Sequence, residues 1–184
     1  MKSTKITAYT DQKLHSILAF ENGIKDAIML FDSDYEVNAF LTLVDKGYFH
    51  SVVFSDYGYS FYLLFRYEKD LQLFKDEFYH LVKTNTLYLK NEEFGLLMGY
   101  PPAACAAFNS NYNLNTAIFV SWNGMFFSSY PDTLKDDVLW LLENKPLQAG
   151  DFFVVDCYKY DVLAGWEEDL IADLPQIISE IVNS

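Results

Sequence analysis

The spacing of apolar and polar residues changes period several times along the chain, and each change marks an element. "KITAYT" reads as a short strand. Thr10 or Asp11 can cap a helix with Leu14, Ile17 and Leu18 on one face, closed by Asn22-Gly23. "DAIMLF" reads as a second strand. Asp34 then opens a helix carrying Val37, Phe40, Leu41 and Val44 at helical spacing, and Gly47 ends it. "HSVVFSD" and "YSFYLLFRY" flank Tyr57-Gly58 as a hairpin. In the second arm Tyr59, Phe61, Leu63, Phe65 and Tyr67 alternate with Ser60, Tyr62, Leu64 and Arg66, the period of a two-faced strand. The period returns to helical from about Lys69 to Thr84, with Leu71, Phe74, Phe78, Leu81 and Val82 inward.

The clearest local signal is "AIFVSWNGMFFSSY". Asn123-Gly124 between two aromatic-rich runs predicts a type I′ hairpin turn, because both turn positions need positive φ. That turn sets Trp122 opposite Met125 and Val120 opposite Phe127. Asp132 then starts a helix through Leu134, Val138, Leu139 and Leu142. "DFFVVDCYKY" is another strand. The last residues carry a helical stripe of Trp166, Leu170, Leu174, Ile178 and Ile181, interrupted near Pro175, with Asp173 able to cap a second segment. Two hairpins with helices between them predict an α+β fold, a mainly antiparallel sheet packed against several helices and covered on one face.

Length and composition bound this picture. A chain of 184 residues is expected to form a single globular domain, 1–184, able to bury about 70% of its unfolded surface. Hydrophobic residues are 51% and aromatics 18%, with 16 Phe and 14 Tyr, which argues against disorder. No signal-peptide pattern and no membrane-length apolar run is present, so a cytoplasmic protein without a membrane partner is expected. Cys105 and Cys157 do not make a disulfide scaffold and are expected as buried thiols.

Charge narrows the partners. There are 26 acidic against 13 basic residues, a formal net charge of −13, and Arg66 is the single arginine. Phosphate and base-edge recognition rely on the planar guanidinium, and a phosphate backbone repels so acidic a chain. Direct nucleic-acid binding is therefore not expected. The charge either keeps a Phe/Tyr-rich protein soluble or presents an acidic face to a basic partner.

The stretch "GLLMGYPPAACAAFN", residues 95–109, reads as a bend between helices. Asn91 or Glu92 starts a helix with Phe94, Leu97 and Met98 on one face, and Gly99 sits where a left-handed cap glycine is wanted. Pro101-Pro102 ends that helix and suits the first turn of the next. Cys105 among alanines reads as a small buried hydrophobe, with no His or Lys nearby in sequence to make it a thiolate. "LLMGYPPAACAAF" resembles the motif of an uncharacterised prokaryotic and phage family, an "LLGYPPCC" turn followed after three residues by Phe. Gly99, Tyr100, Pro101, Pro102 and Phe108 fall on the matching positions. The family's cysteine pair falls on Ala103 and Ala104, with Cys105 displaced by one place, so the pattern departs from the family at its thiols.

Recognisable catalytic motifs are lacking. His15, His50 and His80 are scattered, and no paired spacing of His or Cys suggests a metal site. There is no nucleophile elbow, P-loop or dinucleotide fingerprint, and no cofactor is expected. Carboxylates are plentiful. Asp132 and Asp136 at helical i, i+4 spacing, beside Asp137, suit either a divalent cation and acid–base work or simple complementarity with a helix N-terminus. Asp156 lies between Val155 and Cys157, on the face of Phe152 and Val154 by alternation, where burial would raise its pKa.

Two functions are compatible with this sequence. One is a non-enzymatic binding protein or inhibitor whose acidic, tyrosine-rich surface occludes a basic site on a partner protein such as a nucleic-acid enzyme. Phage anti-defence and toxin-immunity proteins are typical of that class. Asp132, Asp136, Asp137, Glu167 and Glu168 are its candidate partner-binding residues. The other is a small metal-dependent hydrolase or nuclease with Asp156 and Tyr100 near its pocket.

Overall fold

The computed structural model describes residues 16–109 and 117–146, and the backbone of residues 110, 153–157 and 160–165. In chain order the elements are a helix over residues 16–21 (α1), β1 (Ala27–Leu30), α2 (Asp34–Asp45), β2 (Phe49–Phe54) and β3 (Ser60–Phe65). Then come α3 (Glu68–Leu73), a π-helical turn (Phe74–Phe78), α4 (Tyr79–Lys83), a 3-10 turn (Leu87–Lys90) and α5 (Asn91–Leu97). The chain continues through α6 (Pro102–Ser110), β4 (Ile118–Trp122), β5 (Met125–Ser129), α7 (Leu134–Asn144), β6 (Phe153–Cys157) and β7 (Tyr160–Gly165). Every strand pair is antiparallel, and the fold is α+β. Among the described residues no helix is long and apolar enough to cross a membrane.

Within the chain the contacts gather into two compact units. One is Lys25–Gly99; the other joins Met1–Ile24 to Tyr100–Ser184. The strands accordingly form two sheets.

The Lys25–Gly99 unit holds a three-stranded sheet of order β1-β3-β2. Its central strand departs from simple alternation: Leu63, Leu64 and Phe65 are all fully buried. The cause is that both faces are covered. Phe40 of α2 packs on Tyr62 (5.1 Å between ring centroids) and His50 (5.7 Å), while Phe74 packs on Phe65 (5.4 Å) from the other side. One covered face was expected; aromatic side chains from two helical layers cover two.

Ser33 rather than Asp34 caps α2, accepting a hydrogen bond from the Glu36 amide (3.4 Å) and donating to its carboxylate (2.7 Å). The buried stripe of α2 is Glu36, Phe40 and Leu43. Leu41 is exposed, because turning Phe40 onto the sheet carries its neighbour about 100° round the helix. Gly47 at φ +90° closes α2, with Gly47 N–H donating to Val44 and Tyr48 N–H to Leu43, so the last carbonyls are satisfied.

Phe74, Phe78 and Val82 line the inner side of the run from α3 to α4. A four-residue repeat drifts about 40° per step in a uniform α-helix, and the wider π turn takes up that drift. In α5, Phe94, Leu97 and Met98 are buried together as their spacing predicts. Gly99 follows at φ +85°, and a Cβ there would lie 2.7 Å from Asp26 Oδ2. Glycine is therefore required twice, for the conformation and for the space.

The second unit holds a four-stranded sheet of order β5-β4-β6-β7. Its hairpin is the predicted one. Asn123 and Gly124 have φ of 43° and 86°, and Trp122 pairs with Met125 and Val120 with Phe127. Trp122, Met125, Ile118 and Val120 pack with Leu134, Val138 and Leu141 of α7 and with Ala19 of α1. The Trp122 indole N–H donates to the Lys145 carbonyl at 2.8 Å, so the largest core side chain leaves no polar atom unsatisfied. The buried face of α7 uses Leu141 and not Leu139, which is half exposed. The predicted strand "KITAYT" and the helical stripe from Trp166 to Ile181 lie outside the described residues.

Candidate functional site

The residues of the proline motif have structural work. Gly99 closes α5, and α6 starts at Pro102. Pro101 has no side-chain acceptor with which to cap α6, and α7 supplies one: Asp137 Oδ1 accepts the Ala104 amide at 2.8 Å, and Oδ2 accepts the Ser129 hydroxyl at 2.5 Å. Cys105 is a buried thiol one residue further along. Tyr100 packs on the core with its ring 6.3 Å from Phe127, and Phe108 is half-buried.

Asp137 must therefore be removed from the partner-binding residues. It is 0% exposed, and both its oxygens are engaged within the fold. Burial pushes its carboxyl above the ordinary range; hydrogen bonds from Ser129, Thr133 and Ala104 oppose this, and neighbouring Asp136 adds to it. Asp132 and Asp136 are exposed, but they do not form an i, i+4 helical pair. Asp132 lies in the turn before α7, which begins at Leu134.

Asp156 stands opposite Phe119 in the β4–β6 ladder, at a shift of register between β6 and β7. Its side chain, like Glu167 and Glu168, lies outside the described residues. Among the described residues, no group of three or more His, Cys, Asp or Glu side chains comes together in a way that could hold a metal ion. His50 and His80 are both exposed.

Two concavities open on the Lys25–Gly99 unit. The larger, about 540 Å³, is walled by the π turn and α5. It mixes Asp26, Asp70, Glu77 and Glu93 with Lys69 and Lys90. Lys90 is paired with Glu77 at 2.6 Å. Burial raises the Asp70 carboxyl, Lys69 opposes this and Asp26 adds to it. Four carboxylates against two lysines leave this concavity acidic.

The smaller concavity, about 430 Å³, is built differently. Phe31, Tyr57, Tyr59 and Phe61 wall it, with Ser55 and Asn85 at its edge. It sits at the tip of the β2–β3 hairpin. Gly58 at φ +85° turns the chain, and the Tyr59 carbonyl and amide bind the Ser55 amide (2.8 Å) and hydroxyl (3.0 Å) respectively. The rings of Tyr57 and Tyr59 are thereby held at the rim, and each is about two-thirds exposed (66% and 67%). Phe31, just after β1, meets Phe61 edge to face at 5.6 Å.

Asn85 is placed by the end of α4. It takes φ +55°, with its amide on Val82 and that of Thr86 on Leu81. The Asp56 amide binds the Lys83 carbonyl at 2.9 Å, tying the hairpin to the helix end. Tyr57 and Tyr59 flank the turn glycine Gly58 in the sequence, but nothing local to them shows that their rings stay exposed.

No family model, no curated protein and no solved structure matches this chain.

Proposed function

We propose that this chain is a non-enzymatic acidic binding protein that occludes a basic, nucleic-acid-binding site on a partner protein, as anti-defence and immunity proteins do. The observation that carries this reading is the hairpin cleft, where four aromatic side chains wall one exposed concavity in a chain of net charge −13. Rigid aromatics supply contact area at low entropic cost, and a few such anchors carry most of the energy of an interface. The acidic surround speeds encounter with a basic surface and excludes nucleic acid. On the other unit, Asp132 and Asp136, both exposed, remain candidate partner-binding residues, and Glu167 and Glu168 belong to the same proposal. The short resemblance of residues 96–108 to a prokaryotic and phage family accords with this setting.

The test is competition. A basic partner captured from host lysate should bind the purified chain at low salt and release it as ionic strength rises. The chain should displace that partner's nucleic acid. Metal-dependent cleavage of nucleic acids or esters by the purified chain, lost in an Asp156→Asn variant, would establish the hydrolase alternative instead.

A further inference from the structure

We infer that the hairpin cleft is a receptacle for a guanidinium group, occupied in the complex by an arginine of the partner's basic site. The inference rests on the proposed function and names the chemistry of its central contact.

Three features of the cleft favour a cation over a neutral apolar side chain. The first is its walls. Phe31, Tyr57, Tyr59 and Phe61 present π-systems to one volume of about 430 Å³, and none of the six described lining residues is charged. Aromatic faces attract cations through their quadrupole, and several rings around one site reinforce one another. The volume is ample for a long side chain. Elsewhere in the same unit aromatic rings already serve cations: Arg66 lies 5.7 Å from the Tyr48 ring centre and Lys69 lies 5.5 Å from that of Tyr67.

The second feature is a polar acceptor at the rim. Asn85 follows the last turn of α4 and lines the cleft, and its carboxamide offers an acceptor for a guanidinium N–H. The third is the adjoining charge. Asp32 follows the wall residue Phe31 and accepts from the Tyr62 hydroxyl at 3.5 Å. Asp56 lies between the lining residues Ser55 and Tyr57, facing Lys83 at 3.8 Å. Of these three groups Lys83 offsets Asp56, and Asp32 leaves one carboxylate in excess beside the cleft, in a chain of net charge −13. Arginine suits the site better than lysine, because its planar, weakly hydrated head stacks on rings while still donating in plane.

The experiment uses the full chain and a defined probe: acetyl-Gly-Arg-Gly-Arg-Gly-amide, with a counterpart carrying citrulline for both arginines. Citrulline keeps the shape and removes the charge. Aromatic-ring NMR shifts follow the titration at low salt. The arginine peptide should shift the Tyr57, Tyr59 and Phe31 rings saturably, and the citrulline peptide should bind about tenfold more weakly. A Tyr57→Phe/Tyr59→Phe chain should keep its affinity within about twofold, since the ring faces remain, whereas Tyr57→Leu/Tyr59→Leu should lose about tenfold. Equal binding of the two peptides, shifts confined to residues outside the cleft, or a leucine variant that binds like the parent would each overturn the inference. The comparison of peptides on the unaltered chain stands even if the leucine variant fails to fold. The proposed function fails separately. An arginine peptide held in the cleft of a chain that displaces no nucleic acid keeps the site and removes the function. A partner displaced equally well by a folded leucine variant keeps the function and removes the site.

Discussion

At the scale of single residues, Asp137 and Gly124 make the sharpest predictions. The buried Asp137 carboxyl has its pKa raised above the ordinary 3.8 by burial, so the folded chain holds more protons than the unfolded chain between those two values. Its contribution to stability is therefore fullest below the ordinary value and falls as pH rises through the raised one. Asp137→Asn keeps an acceptor for the Ala104 amide and removes the charge. It should flatten that part of the pH dependence, read as urea midpoints across the acid range; an unchanged slope would show that Asp137 is not the group responsible. Asp137→Ala leaves the Ala104 amide and Ser129 hydroxyl without their acceptor and should cost about 1–3 kcal/mol at low pH, where the carboxyl is protonated in both states, and less as pH rises. Gly124 sits at φ +86°, where a β-branched side chain is strained. Gly124→Val should lower stability by about 1–3 kcal/mol in denaturant titration, and a neutral result would mean that the turn is remade.

At the scale of elements, ends matter more than middles. Helix α2 begins on the Ser33–Glu36 pair and ends on Gly47, so orphan backbone groups at both ends find partners. Ser33→Ala should cost about 1 kcal/mol by the same denaturant measurement. Helix α6 borrows its cap from α7 and keeps Cys105 buried. A thiol reagent should therefore react with Cys105 slowly in the folded chain and fast in urea, and Cys105→Ala should leave partner binding unchanged. Rapid labelling of the native chain would reopen a chemical role for the proline motif.

At the scale of the whole molecule, the net charge of −13 acts over the range set by salt. Reversing the exposed Asp132 and Asp136 to Lys tests whether their charge steers a basic partner. If it does, association with the captured partner should slow at low salt and change little at high salt, with dissociation nearly unaffected. Equal loss at both salt concentrations would point to direct contacts instead of steering.

How much of this was legible in the chain follows from the range of the forces involved. Turn and cap chemistry is local, so Asn123-Gly124, Gly47, Gly99 and Pro102 declared their roles in the sequence, as did the buried trio Phe94, Leu97 and Met98. The α+β class followed from the same local periods. What covers a face is not local. Leu64 is buried beside Leu63 because a second helical layer arrives, and Leu41 and Leu139 are exposed because Phe40 and Leu141 take the places on the sheet side. Asp137 looked like its neighbours Asp132 and Asp136, yet it is buried as the cap of another helix, 33 residues away from the amide it accepts. The aromatic cleft was equally unreadable, since Phe31, Tyr57, Phe61 and Asn85 meet only when β1, the hairpin and the end of α4 are assembled. The sequence by itself determined the turns, the glycine helix ends, the composition and the charge, because these depend on a residue and its near neighbours. Only tertiary structure decided which carboxylate is buried and which tyrosines stand free, because burial is settled by what packs from a distance.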